Sequence, residues 1–261
     1  MALSKLVSLV PFRAMPLLRR VWCWWKGRAD ARYVAETGHT FLPPASLRFH
    51  VGSVEPEFFV DVGKRCAADL EQALGTLGRE WSSFERVLDF GCGCGRTLVW
   101  LRDRGPELFG CDLHEPCIDW CREKLDFGTF CTNEARPPFD FPDGSFDLVY
   151  AISVFTHLDE QDQFDWLREL QRVTRPGGVL LLSVHGRPTW GGLEPDEVRE
   201  LERRGILVKE AHALWGVFAR YFNTCHDEGY VRERWDEFFE VRAYLPRGIN
   251  NHQDLVVLER R

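Results

Sequence analysis

The chain has 261 residues, of which 44% are hydrophobic and 28% are charged, so it is long enough for the core of one α/β domain. Its apolar runs are all shorter than the roughly 18 residues of a membrane-spanning helix. A net charge of −7 argues against a broad nucleic-acid-binding surface and favours a small or neutral partner.

The N-terminal part differs from the rest in charge. Residues 1–28 carry six basic side chains and no acid, so the remainder carries −13. This Leu- and Trp-rich segment either makes peripheral contact with an anionic membrane or forms a helical cap on the domain, and its prolines favour the cap. We expect residues 1–80 to form a basic segment and helical cap, in which Tyr33 and Arg48 are candidates for substrate contact.

Residues 81–261 read as the main domain, because apolar strand-like runs alternate with helical patterns from residue 86 onward. This alternation is typical of a parallel sheet with crossover helices. The predicted strands span 86–90, 107–112, 129–132, 145–152, 179–184, 238–244 and 254–259, with a turn at 246–248 joining the last two. The predicted helices span 96–104, 116–125 and 159–174.

A long connection separates the fifth and sixth predicted strands. Residues 185–234 exceed the usual loop length, so we expect an insertion that forms a lid over the substrate. Its aromatic side chains include two candidates for substrate contact, Trp215 and Tyr221.

The sequence DFGCGCG, residues 89–95, follows the first predicted strand. Alternating glycines at that point bring bare backbone close to a ligand, but the spacing differs from that of the dinucleotide fingerprint. Asp89 would repel a pyrophosphate and suits a cationic group, while Asp112, at the end of the second strand, can accept hydrogen bonds from two ribose hydroxyls. These features favour a nucleoside that carries a cation, such as S-adenosylmethionine.

These motifs, with FPDGSFDLVYAISVFTHL and LRELQRVTRPGGVLLLSV, resemble the class I S-adenosylmethionine-dependent methyltransferases over about residues 86–184. The ending QDLVVLER resembles the last strand of that fold. The resemblance implies a Rossmann-like seven-stranded sheet whose final strand is antiparallel. It also implies cofactor contacts from Asp89, Gly91, Cys92, Gly93, Gly95, Asp112, Leu113, Asn133, Ile152 and Ser153, among which Asn133 departs from the aspartate of many relatives.

The chain has nine cysteines, an odd number, and they do not lie at turn-bounded spacings. This favours reduced thiols and a cytoplasmic location. Residues 1–28 add the alternative that the protein also associates with a membrane. Cys92 and Cys94 form C-x-C, and Cys117 and Cys121 stand four apart. No matching pair completes four ligands, so we expect no metal.

Methyl transfer to a hydroxyl requires a base, and histidine is suited to that role near pH 7. His157 and His185, which follow the fourth and fifth strands, are the candidates, with a structural role as the alternative for each. We expect a methyltransferase acting on a small-molecule or sugar-like acceptor, in the manner of enzymes of secondary metabolism and glycan decoration. Methylation of protein or RNA, and cofactor binding without catalysis, are the alternatives.

Overall fold

The computed structural model describes residues 15–52, 54–210 and 222–261. The helices are α1 (Met15–Gly27), α2 (Asp30–Thr37), α3 (Ala45–His50), α4 (Pro56–Gly75), α5 (Glu115–Lys124), α6 (Glu160–Val173), α7 (Pro195–Arg204) and α8 (Glu228–Trp235). The strands are β1 (Arg86–Phe90), β2 (Glu107–Asp112), β3 (Gly128–Thr132), β4 (Phe146–Ala151), β5 (Thr174–Val184), β6 (Ile206–Glu210), β7 (Phe222–His226), β8 (Glu240–Ile249) and β9 (Gln253–Glu259).

Within the described residues, seven strands form one sheet in the order β3-β2-β1-β4-β5-β9-β8. The first five strands in the chain pair in parallel, whereas β9 runs antiparallel to both of its neighbours, β5 and β8. This arrangement confirms the expected α/β class and the antiparallel final strand. The carboxyl ends of β1, β2, β4 and β5 therefore meet along one edge of the sheet.

The core lies on both faces of the sheet, because neighbouring residues of a strand point to opposite sides. Val87 and Leu148 pack on one face with Leu70 of α4, and Leu88 and Val149 pack on the other face with helix α6. Helix α4 thus shares the core of the sheet, although the sequence placed it in the N-terminal cap.

Two predicted elements are wrong. Residues 96–104 form turns around a short 3-10 helix, Leu98–Trp100, instead of an α-helix. The β-branched Thr97 and Val99 weaken the helical propensity there. The amides of Trp100, Leu101 and Arg104 donate in the tighter i→i−3 pattern, and only that of Val99 donates four residues back, to Gly95, among the hydrogen bonds of this segment. The predicted turn at 246–248 lies inside β8, where the register shifts.

The hairpin instead turns at Asn250 and Asn251, with φ of +52° and +51°. Both central positions of a tight hairpin turn need positive φ, which asparagine tolerates better than most residues.

The long insertion contains its own two-stranded antiparallel sheet, β6 and β7. This hairpin attaches to the carboxyl edge of the main sheet, since the amide of His226 donates to the carbonyl of His185 at 2.8 Å. The hydroxyl of Thr224 also donates to the carbonyl of Leu158, at 2.7 Å. None of the helices in the described part of the chain combines the length and apolar character needed to cross a bilayer.

Candidate functional site

The candidate site begins at the glycine loop that follows β1. Its glycines all have left-handed backbone angles, with φ of +81° at Gly91, +53° at Gly93 and +71° at Gly95. Side chains are strained at such angles, which accounts for glycine at each position. The amides of Gly91 and Cys92 both donate to the carbonyl of Cys111, at 2.8 and 3.0 Å. The loop is therefore fixed to the end of β2, with its backbone at the carboxyl edge of the sheet.

Asp89 lies just before this loop and is buried, with 4% of its surface exposed. Tyr150 is its register partner on β4, and the Tyr150 hydroxyl donates to Oδ2 of Asp89 at 2.9 Å. Burial raises the pKa of Asp89 to about 8, and the hydrogen bond from Tyr150 opposes this rise only in part. Asp89 is therefore largely protonated at neutral pH, and a cation beside it would favour its ionised form.

Asp112, at the end of β2, is held by backbone amides. The amide of Gly93 donates to Oδ2 and the amide of His114 donates to Oδ1, both at 2.8 Å. Burial raises the pKa of Asp112, while these amides lower it. Each carboxylate oxygen can accept more than one hydrogen, so the fixed group keeps capacity for two ribose hydroxyls.

The next two residues expected at the cofactor are Leu113 and Asn133. Leu113 is 49% exposed, an unusual exposure for a large apolar side chain, and gives an apolar surface beside Asp112. The amide of Asn133 donates to the carbonyl of Asp112 at 3.2 Å, which places this residue at the same edge. Its side-chain Oδ1 is buried and finds no hydrogen-bond partner among the described residues. That oxygen is a ready acceptor for an amino group.

These groups fit S-adenosylmethionine. The buried carboxyl of Asp89 suits the cationic methionine end, the oriented carboxylate of Asp112 suits the ribose, and the unsatisfied oxygen of Asn133 suits the adenine amine. Burying a polar atom without a partner is unfavourable, so the Asn133 oxygen itself points to a donor supplied by a ligand.

Ile152 and Ser153 follow β4 at the same edge. Ser153 has a φ of +61°, which is strained for a residue with a side chain. Two hydrogen bonds hold it there: its amide donates to Oγ of Ser183 at 2.7 Å, and Nε2 of Gln253 donates to its Oγ at 2.8 Å. Ser183 in turn donates to Oε1 of Gln253 at 2.7 Å. Ile152 is partly buried against the core.

The cysteines of the loop face helix α5. Sγ of Cys94 lies 3.5 Å from Sγ of Cys117, and Nδ1 of His114 lies 3.1 Å from the same Cys117 sulfur. Burial raises the pKa of Cys92 well above its usual value, so this thiol stays protonated. In the described ranges, no cluster of three or more histidine, cysteine or acidic side chains is arranged to hold a metal ion.

His157 and His185 lie together at the carboxyl edge, with ring centroids 6.3 Å apart. Nδ1 of His157 lies 2.9 Å from the carbonyl oxygen of Phe222, so Nδ1 carries the proton and the neutral ring has its lone pair on Nε2. Nδ1 of His185 lies 2.9 Å from Oδ1 of Asn223. Burial lowers the pKa of His157, and burial together with the nearby His157 lowers that of His185 to about 4. Both rings are therefore neutral at pH 7, as a base must be.

The prediction that Arg48 contacts the substrate is wrong. Arg48 is completely buried, and its guanidinium donates to both carboxylate oxygens of Asp30, to the carbonyl of Val54 from two nitrogens, and to the carbonyl of Pro43. All five N–H groups of an arginine are thereby used, so none is left for a ligand. Arg48 therefore has a structural role, in which it joins residues 30, 43 and 54 of the cap.

Tyr33 also lies in the cap, where it is 8% exposed and its ring stacks on His39 at a centroid distance of 5.9 Å. Contact of Tyr33 with a substrate stays a prediction. The other two candidates, Trp215 and Tyr221, lie outside the described residues.

The structure identifies the residues through which the cap contacts the glycine loop, and the sequence named none of these pairs. A Cβ placed on Gly93 would lie 2.4 Å from Cγ1 of Val51, and Nη1 of Arg96 donates to the carbonyl of Val51 at 3.1 Å. The His50 ring stacks on His114, with centroids 3.7 Å apart, next to the amide that holds Asp112. Such contacts join segments far apart in the chain and leave no local sequence pattern.

A cavity of about 500 Å³ opens beside the carboxyl end of β5. Its lining includes Arg187, Tyr244 and Asp254. The Tyr244 hydroxyl donates to Oδ2 of Asp254 at 2.9 Å, so the wall of the cavity carries fixed polar groups. A second cavity, of about 380 Å³ around Asp147 and Arg175, lies at the opposite edge of the sheet, away from the loop.

Comparisons with known proteins agree with this geometry. A family profile described as "Methyltransferase domain" matches residues 88–182. The chain is similar to Methyltransferase GfsG of Streptomyces halstedii, with 30% identity over 140 residues that cover 50% of this chain and 46% of that protein. It is also similar to the tRNA N(3)-cytidine methyltransferase METTL2 of Gallus gallus, with 27% identity over 41% of this chain and 32% of that protein. The chain thus spans less than half the length of each of these relatives.

Among solved structures, the fold is similar to that of 1,6-didemethyltoxoflavin-N1-methyltransferase of Burkholderia thailandensis, solved with 1,6-didemethyltoxoflavin and S-adenosylhomocysteine. The TM-score is 0.55 at 18% identity, and the match covers 76% of this chain and 78% of that one.

Proposed function

Because the chain belongs to the class I S-adenosylmethionine-dependent methyltransferase superfamily, we propose that it transfers a methyl group to a small-molecule or sugar-like acceptor, at oxygen. The observation that carries the cofactor part of this proposal is Asp89, a buried carboxyl with a raised pKa directly ahead of a glycine loop. Strongly perturbed carboxyl groups of this kind cluster at functional sites, and a cationic ligand would pair with this one.

The bound cofactor supplies an electrophilic methyl group on a sulfonium. The contribution of the chain is to position and enclose the reacting groups, which is where most of the rate enhancement of a direct displacement can arise. In this proposal Asp89 pairs with the cationic methionine end and Asp112 binds the ribose, while the strained Ser153 is fixed by Ser183 at the same edge of the sheet.

His157 is our candidate for the base that takes the acceptor proton. Its ring is held by the Phe222 carbonyl of the insertion, which fixes the tautomer that leaves Nε2 to accept a proton. His185 is the second candidate and is oriented in the same way by Asn223. Because both pKa values lie below the ordinary value, either ring is already neutral over the physiological range.

The acceptor class rests on charge and on the cavity beside β5. An acidic chain with a net charge of −7 suits a small acceptor better than a polyanion. In that cavity, the Asp254 carboxylate and the Tyr244 hydroxyl can form hydrogen bonds with a polyhydroxyl compound. Methylation of tRNA is the second candidate, favoured by the similarity to a tRNA methyltransferase.

Two measurements test the proposal. Titration calorimetry with S-adenosylmethionine, against NAD as the control nucleotide, is expected to give heat with the former alone, and no heat would reject the cofactor assignment. Incubation with methyl-labelled cofactor and separate pools of metabolites, glycans and tRNA is expected to label the first or second pool. Label in tRNA alone would overturn the acceptor class.

A further inference from the structure

Helix α1 carries a row of exposed apolar and basic side chains, which we call the Trp24 face: Arg20, Val21, Trp24, Trp25 and Arg28. Val21 is 55% exposed, Trp24 66% and Trp25 60%. At 3.6 residues per turn, the first four of these residues lie within an arc of about 140° on the helix. Arg28 continues the turn, because its amide donates to the carbonyl of Trp25 at 3.3 Å.

The opposite side of α1 is anchored to the molecule. Cys23 is buried in a cluster with Ala45 and Val54, and the Trp22 ring contacts the Phe49 ring edge-on at 6.0 Å. The helix therefore already buries one side on the cap. The Trp24 face is the side that points away from it.

Two tryptophans and a valine that are each more than half exposed on one helix side form an apolar patch of the kind that marks an interaction site. Tryptophan is suited to the boundary between water and lipid, because its ring is apolar and its N–H is polar. Val21 adds an aliphatic side chain at the centre of the face. Such a composition suits lipid better than nucleic acid, which is bound chiefly through cations.

The charges of the segment select the kind of lipid. Arg20 and Arg28 are exposed within the face, and the Arg28 guanidinium lies 5.2 Å from the centre of the Trp24 ring, which leaves its charge at the surface. Residues 1–28 carry six cations and no acid, in a chain whose net charge is −7. The nearest following acid, Asp30, is engaged by Arg48 at 2.7 Å. Residues 1–28 are therefore a positively charged segment of a chain that is acidic overall.

We propose that the Trp24 face docks the protein on an anionic lipid bilayer, with Trp24 and Trp25 at the headgroup boundary and Arg20 and Arg28 on the lipid phosphates. The helix lies on the surface, since α1 has only 13 residues and its other side is buried on the cap. This docking is independent of methyl transfer and is measured without it.

The test is flotation of the full chain with phosphatidylcholine vesicles that either contain or lack phosphatidylglycerol. We expect binding to the vesicles that contain phosphatidylglycerol, at least tenfold weaker binding to those that lack it, and loss of binding at high salt. Trp24→Ala combined with Trp25→Ala, and separately Arg20→Glu combined with Arg28→Glu, should each weaken binding roughly tenfold or more.

Matched controls lie elsewhere on the surface. Phe58→Ala removes an aromatic side chain that is 51% exposed on α4, and Arg199→Glu with Arg203→Glu reverses two exposed charges on α7. Both should bind like the parent, and circular dichroism should show that all variants are folded.

Three results would overturn the proposal. The first is no binding to vesicles containing phosphatidylglycerol, and the second is unchanged binding by both Trp24-face variants. The third is a dimer in light scattering that the Trp24-face variants dissociate, because the face would then be an interface between two copies of the chain.

Discussion

The hydroxyl of Tyr150 donates to Oδ2 of Asp89 across neighbouring parallel strands, at 2.9 Å and with both side chains buried. This pair lies directly behind the glycine loop. It keeps a carboxyl group in an apolar environment, in which burial has raised the pKa to about 8. The carboxyl is therefore largely neutral at pH 7, and a cationic ligand beside it would favour its ionised form.

Asp89→Asn is expected to weaken S-adenosylmethionine binding by roughly thirtyfold or more, because a buried charged hydrogen-bonding partner contributes about 2 kcal/mol. The asparagine can still accept the hydrogen bond from Tyr150, so the fold should be kept. Isothermal calorimetry measures the affinity. Asp69→Asn, a change on α4 outside the glycine loop, is the control and should bind normally.

The same substitution should change how stability depends on pH. The folded pKa of Asp89 lies near 8, above the usual value of about 4, so its contribution to stability is complete below pH 4 and is lost as the pH rises through 8. Asp89→Asn does not titrate. We expect the unfolding free energy of Asp89→Asn, measured by urea denaturation, to rise relative to that of the parent protein between about pH 4 and pH 8. A difference that stays constant with pH would contradict the raised pKa.

Cofactor binding itself should release a proton. If Asp89 ionises when the cationic end arrives, a pKa of about 8 predicts release of about 0.9 proton per cofactor at pH 7 and an affinity that rises up to about pH 8. Calorimetry in two buffers of different ionisation enthalpy measures this number. The same measurement on Asp89→Asn should give much less release, and equal release in both proteins would assign the proton to another group.

Much of this site could be predicted from the sequence, because its parts are local. The run from Asp89 to Gly95 and the acid at Asp112 occur where apolar strands end, and the parallel topology brings them together. Tyr150 was missed because a tyrosine inside an apolar strand looks like core. Only the register of β1 against β4 shows that it faces Asp89.

The cap and the insertion could be predicted less well. The charge of Arg48 makes it a candidate ligand-binding residue in the sequence, yet its partners, Asp30 and the carbonyls of residues 43 and 54, make it structural. Hydrogen bonds between separate segments determine such a role, and no spacing in the sequence records them. No sequence pattern indicates the role of Gln253 either, since it joins β9 to Ser153, which follows β4, and to Ser183 within β5.

The two histidines can be separated by the pH dependence of turnover. A base works only when neutral, so activity should fall as the pH drops through its pKa. If His157 is the base, kcat falls with pH at values below 6.5, and His157→Gln lowers kcat by roughly a hundredfold or more. If His185 is the base, kcat falls only near pH 4, and His185→Gln is the variant that lowers kcat. Unchanged kcat in both variants would remove this role from either ring.

Ser183→Ala should destabilise the protein by about 1–3 kcal/mol, because it leaves the amide of Ser153 and Oε1 of Gln253 buried without their partner. Urea denaturation measures the loss. Ser83→Ala removes a hydroxyl that donates to the carbonyl of Glu80 at an exposed site, and as the control should change stability by less than about 0.5 kcal/mol. Equal effects of the two changes would show that the Ser183 hydroxyl does not hold Ser153.

The contact between the cap and the glycine loop can be tested with a pair of substitutions. Gly93→Ala places a Cβ 2.4 Å from Cγ1 of Val51, at a φ of +53° that itself costs a side chain about 1–2 kcal/mol. We expect weaker cofactor binding and a lower unfolding free energy. Val51→Ala removes Cγ1 and leaves the Cβ of residue 51 at 3.8 Å, an ordinary contact. The double variant should therefore recover the part of the loss due to the collision and keep the part due to backbone strain. Strictly additive effects of the two changes, in binding and in urea denaturation, would mean that the cap does not press on the loop in solution.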